Sequence, residues 1–176
     1  MGTELDSLQL ALLDGRIHRR EAFDCGEPTL NRYLKEHAGQ DHKRNAATPY
    51  VLVDPDRPEE VVGYFTLSMI GVALEDLSAD AKKYVPKYSN VPAVLIGRLA
   101  VAAEHQGRGY GGELLRRALG RCLDASRVAA AALVIVDALN ADAAAFYGKY
   151  GFEPITSDDA YPKRLYMPLR LVAKAQ

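Results

Sequence analysis

Cysteine is nearly absent from this chain: Cys25 and Cys122 are the only two in 176 residues. Two thiols cannot build a disulfide framework, so the stapled secreted class is excluded and reduced thiols in a cytoplasmic protein are expected. No apolar run approaches the ~20 residues that a membrane span needs. The stretch Met1 to Asp14 carries acids and no basic n-region, so it does not read as a secretory leader. Neither charge sign is in excess: 22 basic and 23 acidic residues give a net −1. No global field therefore draws the chain to nucleic acid or anionic lipid, and any such binding needs a local basic patch. The four histidines, His18, His37, His42 and His105, include no pair at i, i+4 spacing, and no metal is expected. A P-loop is excluded because no Gly-Lys-Ser or Gly-Lys-Thr follows the glycines.

What remains is 48% hydrophobic and 26% charged, the composition of a globular protein. The length suits one domain over 1–176 with a real core. Pro28 opens a helical pattern to about residue 43, with Leu30, Tyr33, Leu34 and His37 on one side. Pro49–Asp54 and Val61–Met69 read as a strand hairpin around a turn at 55–58. Residues 71–91 read as irregular, with a short helix around 79–84. Strands follow at 93–101, 133–136 and 164–169. The 3.6-residue period predicts a helix over 110–126, and Asn140 to Tyr150 reads as another, closed by Gly151. The order predicts a mixed α/β sheet.

The most informative stretch is 94–112, where an apolar strand runs through a short polar loop into a glycine-rich helix start. Gln106-Gly107-Arg108-Gly109-Tyr110-Gly111 spells Q-x-x-G-x-G. Glycines let backbone N–H groups approach an anion, and the helix adds the positive end of its dipole. This is a seat for a pyrophosphate. Gly107, Gly109 and Gly112 also satisfy G-x-G-x-x-G. A dinucleotide site is disfavoured because five residues separate the glycines from the strand and no acid lies ~20 residues on.

The loop and the later segment Asn140-Ala-Asp-Ala-Ala-Ala-Phe146-Tyr147-Gly-Lys-Tyr-Gly151-Phe152 together resemble the GNAT acetyltransferase family over roughly 45–170. The resemblance implies a mostly antiparallel mixed sheet with a splayed central strand and helices on both faces. It implies acetyl-CoA as donor, with the backbone of Leu99, Ala100 and Val101 along the pantetheine arm. Gln106, Gly107, Arg108, Gly109, Gly111 and Gly112 form the pyrophosphate loop, although Gly111 reads equally as a helix-packing glycine. Asn140 is either a cofactor ligand or a plain N-cap. Phe146, carried over as a cofactor contact, also reads as packing, as does Tyr150.

Tyr147 is the catalytic candidate, expected by the departing CoA sulfur. With free pKa values of ~10 for tyrosine and ~8.5 for a thiol, full proton transfer is uphill, so a hydrogen bond to developing thiolate is the better description. Many relatives place a carboxylate on the central strand as base, but Ile96-Gly97-Arg98-Leu99 offers none, and Glu104 reads as a solvent-facing loop acid. An acceptor that is already partly neutral near pH 7 fits this gap: α-amines titrate at ~7.7–8.0 and lysine near 10.4. Neither cysteine has a base beside it, so direct attack is expected rather than an acetyl-enzyme.

Phe23-Asp24-Cys25-Gly26-Glu27-Pro28 through Leu34, with Gly63–Ser68 and Gly97–Val101, is similar to the GNAT subgroup that contains toxins of toxin–antitoxin pairs. That resemblance implies acetylation of aminoacyl-tRNA, a ribbon-helix-helix antitoxin and a homodimer. Arg98, Lys43 and Arg44 are the acceptor-binding candidates, with Arg16, Arg19, Arg20, Lys35 and His42 as further basic residues. A small amine or a protein N-terminus is the alternative acceptor, and a non-catalytic CoA-binding module the alternative class.

Overall fold

The computed structural model describes residues 4–175; the first residues of the acidic Met1–Asp14 stretch and the very ends of the 1–176 span lie outside it. Seven strands form one sheet in the order β1-β2-β3-β4-β5-β7-β6. They are β1 (Gln9–Leu12), β2 (Thr48–Asp54), β3 (Arg57–Ala73), β4 (Asn90–Val101), β5 (Leu133–Ala138), β6 (Glu153–Pro154) and β7 (Lys163–Pro168). Pairing is antiparallel for β1–β2, β2–β3, β5–β7 and β6–β7 and parallel for β4–β5, the mixed, mostly antiparallel α/β sheet expected. The chain divides into two compact units, residues 1–68 with 98–118 and residues 69–97 with 119–176.

In the first unit, Tyr64 of β3 packs edge-on to Phe23 and stacked with Tyr33 in a core that includes Leu34, Ala38, Val51 and Val53. A helical run covers this core: α1 (Pro28–Arg32), a π-helical turn (Tyr33–His37) and α2 (Ala38–Lys43). Glu27 caps it and Pro28 sits in its first turn, where a missing N–H costs nothing. The 28–43 extent is as expected, but the apolar face is not. The π turn inserts an extra residue, closing with the Ala38 N–H on the Tyr33 carbonyl, so Ala38 is buried and His37 is exposed. On the opposite face of β3, a Cβ at Gly63 would stand 3.1 Å from Leu114 of the long helix α4 (Tyr110–Val128).

In the second unit, Val72, Val91, Ala93, Leu133, Ile135 and Tyr166 form the core beneath the short helix α3 (Ala79–Lys82). Strand β5 registers with β4 only from Ala93↔Leu133 to Ile96↔Val136, while β5 itself stays paired with β7 to Ala138. Helix α5 (Ala141–Lys149) follows β5, and α6 (Leu169–Lys174) ends the described chain.

Several boundaries move. The hairpin turn is only Pro55-Asp56, and β3 runs four residues beyond the expected start and end. The last strand stops at Pro168, and Leu169 opens α6 instead, buried together with Val172. Strand β1 and helix α6 have no counterpart in the sequence expectation.

Candidate functional site

The glycine loop belongs to the first unit. After β4, a 3-10 turn at Ala103–His105 carries the chain to the glycines, where Gly107 (φ +74°) and Gly109 (φ +87°) both sit in the left-handed region. Only glycine adopts these angles without a steric cost. A Cβ at Gly107 would meet no atom within 4 Å, so the angle rather than crowding demands glycine there. Gln106 locks the loop in place: its side-chain amide donates to the carbonyls of Cys25 and Val101, both at 2.8 Å. With α4 starting at Tyr110, the open face at Gly107 and the free N–H groups of the helix start fit a pyrophosphate. Gly111 and Gly112 lie in the first turn of that helix.

Arg108 is not a bare cation. Its guanidinium holds the Glu4 carboxylate at 3.0 Å, and its carbon lies 5.3 Å from the Tyr110 ring centroid. A hydrogen bond from Tyr110, then the Arg108 charge and hydrogen bond, outweigh desolvation and lower the Glu4 carboxyl from its usual range. Glu4 was not among the expected site residues; nothing in its sequence neighbourhood signals a partner more than a hundred positions away.

On β4, Ala100 and Val101 are buried and Leu99 is half-buried, so their side chains are core and their backbone is what could meet a ligand. Arg98 stacks its guanidinium 3.5 Å above the Tyr33 ring, and the Tyr33 hydroxyl donates to Asp41 at 2.8 Å. Burial, aided by Asp41, pushes the Tyr33 phenol up to about 12. Lys43 and Arg44 close α2 and are exposed; Lys43 lines a basic cavity and Arg44 does not. Glu104 is solvent-facing, its side chain 78% exposed and 3.6 Å from His105. Strand β4 itself carries no carboxylate.

In the second unit, Asn140 caps α5, its side-chain oxygen accepting from the Ala143 N–H at 2.9 Å. About two turns later, Tyr147 is 7% exposed, its ring edge-on to Phe146 and Phe152. Burial, and secondarily the Asp137 charge, push its phenol well above the usual range. Asp137 is itself held by Arg164 through two contacts of 2.8 and 2.9 Å. Such a phenol stays neutral and donates a hydrogen bond; it does not readily release its proton. Gly151 follows α5 at φ +94°, the left-handed closing residue expected there.

Neither thiol is activated. Burial raises both, Cys122 to about 12. Among the described residues no group of three His, Cys, Asp or Glu side chains could hold a metal ion, and no helix is long and apolar enough to cross a membrane.

Comparison with known proteins agrees with this geometry. A tRNA-acetylating toxin of Mycobacterium tuberculosis is 36% identical over 137 residues, covering 78% of this chain and 80% of the relative. The structure of AtaT complexed with acetyl-methionyl-tRNAfMet superimposes with a TM-score of 0.84 at 29% identity, covering 96% of this chain and 98% of the other. A tyrosine-to-phenylalanine mutant of the AtaT toxin, bound to acetyl-CoA and the C-terminus of the antitoxin AtaR, gives a TM-score of 0.80 at 27% identity, with 97% and 98% covered. Residues 16–152 match the Acetyltransferase (GNAT) family, and the chain is therefore a GNAT acetyltransferase.

Proposed function

We propose that this enzyme moves an acetyl group from acetyl-CoA to the α-amine of an aminoacyl-tRNA, acting in the cytoplasm as the toxin of a toxin–antitoxin pair. The observation that carries the donor is the pair of left-handed glycines ahead of α4. For the acceptor, support comes from the relatives whose names or bound ligands are acetylated tRNA, and from the lack of a carboxylate on β4. Without a base, the acceptor must supply its own neutral amine; at pH 7 roughly a tenth of α-amines are neutral, against well under a thousandth of lysines.

Each part of the donor is assigned to its own group of residues. The N–H groups of Gly107 to Gly112 take the pyrophosphate, with Arg108 as the adjacent cation and Gln106 as the positioning residue. The backbone of Leu99 to Val101 lies along the pantetheine arm, and a backbone N–H there faces the thioester oxygen. Asn140 and Phe146 serve the arm near the sulfur. Arg98, Lys43 and Arg44 face the acceptor. Acetyl-CoA supplies the activated acetyl thioester. The amine nitrogen attacks the carbonyl carbon, a C–N bond forms, the C–S bond breaks, and one amine proton leaves to solvent. The departing sulfur gains its hydrogen bond from Tyr147, whose raised pKa suits donation short of full transfer. By the same resemblance the chain forms a homodimer and is held by a ribbon-helix-helix antitoxin.

Labelled acetyl-CoA with charged and uncharged bulk tRNA is the test. Label is expected on charged tRNA alone, and Tyr147→Phe is expected to lower kcat about 100-fold with the KM for acetyl-CoA little changed. Equal or absent labelling of the two tRNA pools overturns the acceptor; unchanged turnover in the variant overturns the role of Tyr147.

A further inference from the structure

Within the first unit, the loop Asp14–Arg20 and helix α2 frame a cavity of about 900 Å³ with an excess of positive charge. Arg16, Arg20 and Lys43 line it against one carboxylate, Asp14, with His18 and His42 beside them. Asp14 is already matched, since Arg16 holds it at 2.8 Å. Arg20 is not. Its half-buried guanidinium makes no hydrogen bond or ion pair among the described residues, and its Nε is buried without an acceptor. Two glycines make the slot in which it lies: a Cβ at Gly15 or at Gly39 would stand 3.3 Å from one or the other terminal nitrogen. Lys43 also lacks a partner among the described residues. The buried His18 ring accepts the Asp14 N–H on Nδ1 at 2.9 Å, which leaves Nε2 as the donor of the neutral ring.

A half-buried cation with no counter-charge carries a desolvation cost that a bound anion would offset. The planar fork of a guanidinium matches phosphate oxygens, and the cations and imidazoles here outnumber what two carboxylate oxygens can engage. We infer that this cavity is an anion site that seats a phosphate group, with Arg20 as its principal ligand and Lys43 as its second cation. The acceptor reading above enters only through the source of that phosphate, the backbone of the tRNA; the free ion is the other source. A chain of net charge −1 that binds RNA needs such a local seat.

Two measurements on the full chain test the site. In the first, thermal unfolding is followed with inorganic phosphate or acetate at constant ionic strength. In the second, binding of uncharged tRNA is followed as salt is raised. Phosphate, and not acetate, is expected to raise the Tm of the parent protein and to lose that effect in Arg20→Gln. The same variant is expected to bind tRNA about tenfold more weakly, with a salt slope smaller by about 0.7–0.9. Lys43→Gln, at an exposed position that leaves the fold intact, should move both readouts in the same direction should Arg20→Gln fail to fold by circular dichroism. Loss of both effects assigns the site to RNA phosphate, and loss of the phosphate effect alone assigns it to the free ion. Parent and variants responding alike in both arms, or acetate acting as well as phosphate, overturns the site. The labelling of charged tRNA is decided separately: a parent that labels no tRNA but shows the Arg20-dependent phosphate effect loses the acceptor reading and keeps the site.

Discussion

At Asn140 the two ends of one amide can be separated by substitution. The oxygen accepts from the Ala143 N–H, and the NH2 group has no partner among the described residues. Asn140→Ala removes the cap and is expected to cost about 1 kcal/mol of stability, read as a lower denaturation midpoint. Asn140→Asp keeps an acceptor at the cap and adds a charge favourable to a helix start, so stability should hold. If the NH2 also serves acetyl-CoA, Asn140→Asp should weaken acetyl-CoA binding while leaving the midpoint in place; unchanged affinity reduces Asn140 to a cap. Residue types announced this position and Tyr147, since Asn before a helix and Tyr before Gly-Phe are local patterns. They did not announce Glu4 or the slot around Arg20, because both depend on residues brought together from distant positions.

At the scale of the element, the glycines divide by what demands them, and substitution tells them apart. Gly109 has a positive φ and ordinary contacts, whereas Gly63 has an unexceptional backbone and no room: a Cβ there would stand 2.9 Å from the Ala100 carbonyl oxygen. Gly109→Ala is expected to cost roughly 1–2 kcal/mol through backbone strain and to weaken acetyl-CoA binding, because the strain falls on the loop. Gly63→Ala is expected to cost about 1–3 kcal/mol through overpacking against β4. Denaturant midpoints with an acetyl-CoA titration separate the two; equal loss of affinity in both refutes the distinction. Elements with a period or a punctuating Pro or Gly were legible in sequence: the 28–43 run, α4, β5 and α5 fell within a few residues of expectation. Strand β1 was not, because Gln-Leu-Ala-Leu has no β-branched residue and its extended form comes from pairing with β2. The polar start of β3 was missed for a similar reason: burial does not hold it, Arg57 alone pairs with β2 (at Asp54), and Pro58 to Glu60 form a bulge in which the Glu59 carbonyl accepts from the Arg19 N–H. The π turn was invisible because 3.6-residue periodicity assumes that no residue is inserted.

Across the whole molecule, buried phenols tie stability to alkaline pH. Tyr33, Tyr64, Tyr110, Tyr147 and Tyr166, half of the ten tyrosines, are all raised chiefly by burial. An unfolded tyrosine loses its proton near ~10. Tyr33 keeps its proton to about 12, and Tyr64 and Tyr147 are raised further. Above pH ~10 the unfolded chain therefore binds fewer protons than the folded one, and stability falls as pH rises. The contribution of these residues is complete below pH ~10 and is lost as pH climbs through 12 and beyond. Thermal unfolding between pH 8 and 12 should show a plateau and then a steepening decline, with the tyrosinate absorbance of the folded protein reporting only the exposed rings until the chain opens. Tyr147→Phe keeps the ring packing against Phe146 and Phe152 and removes one titrating group, so its decline should be shallower than that of the parent. Tyrosinate absorbance from all ten rings at pH ~10, while circular dichroism still reports a folded chain, would show that burial does not hold these protons.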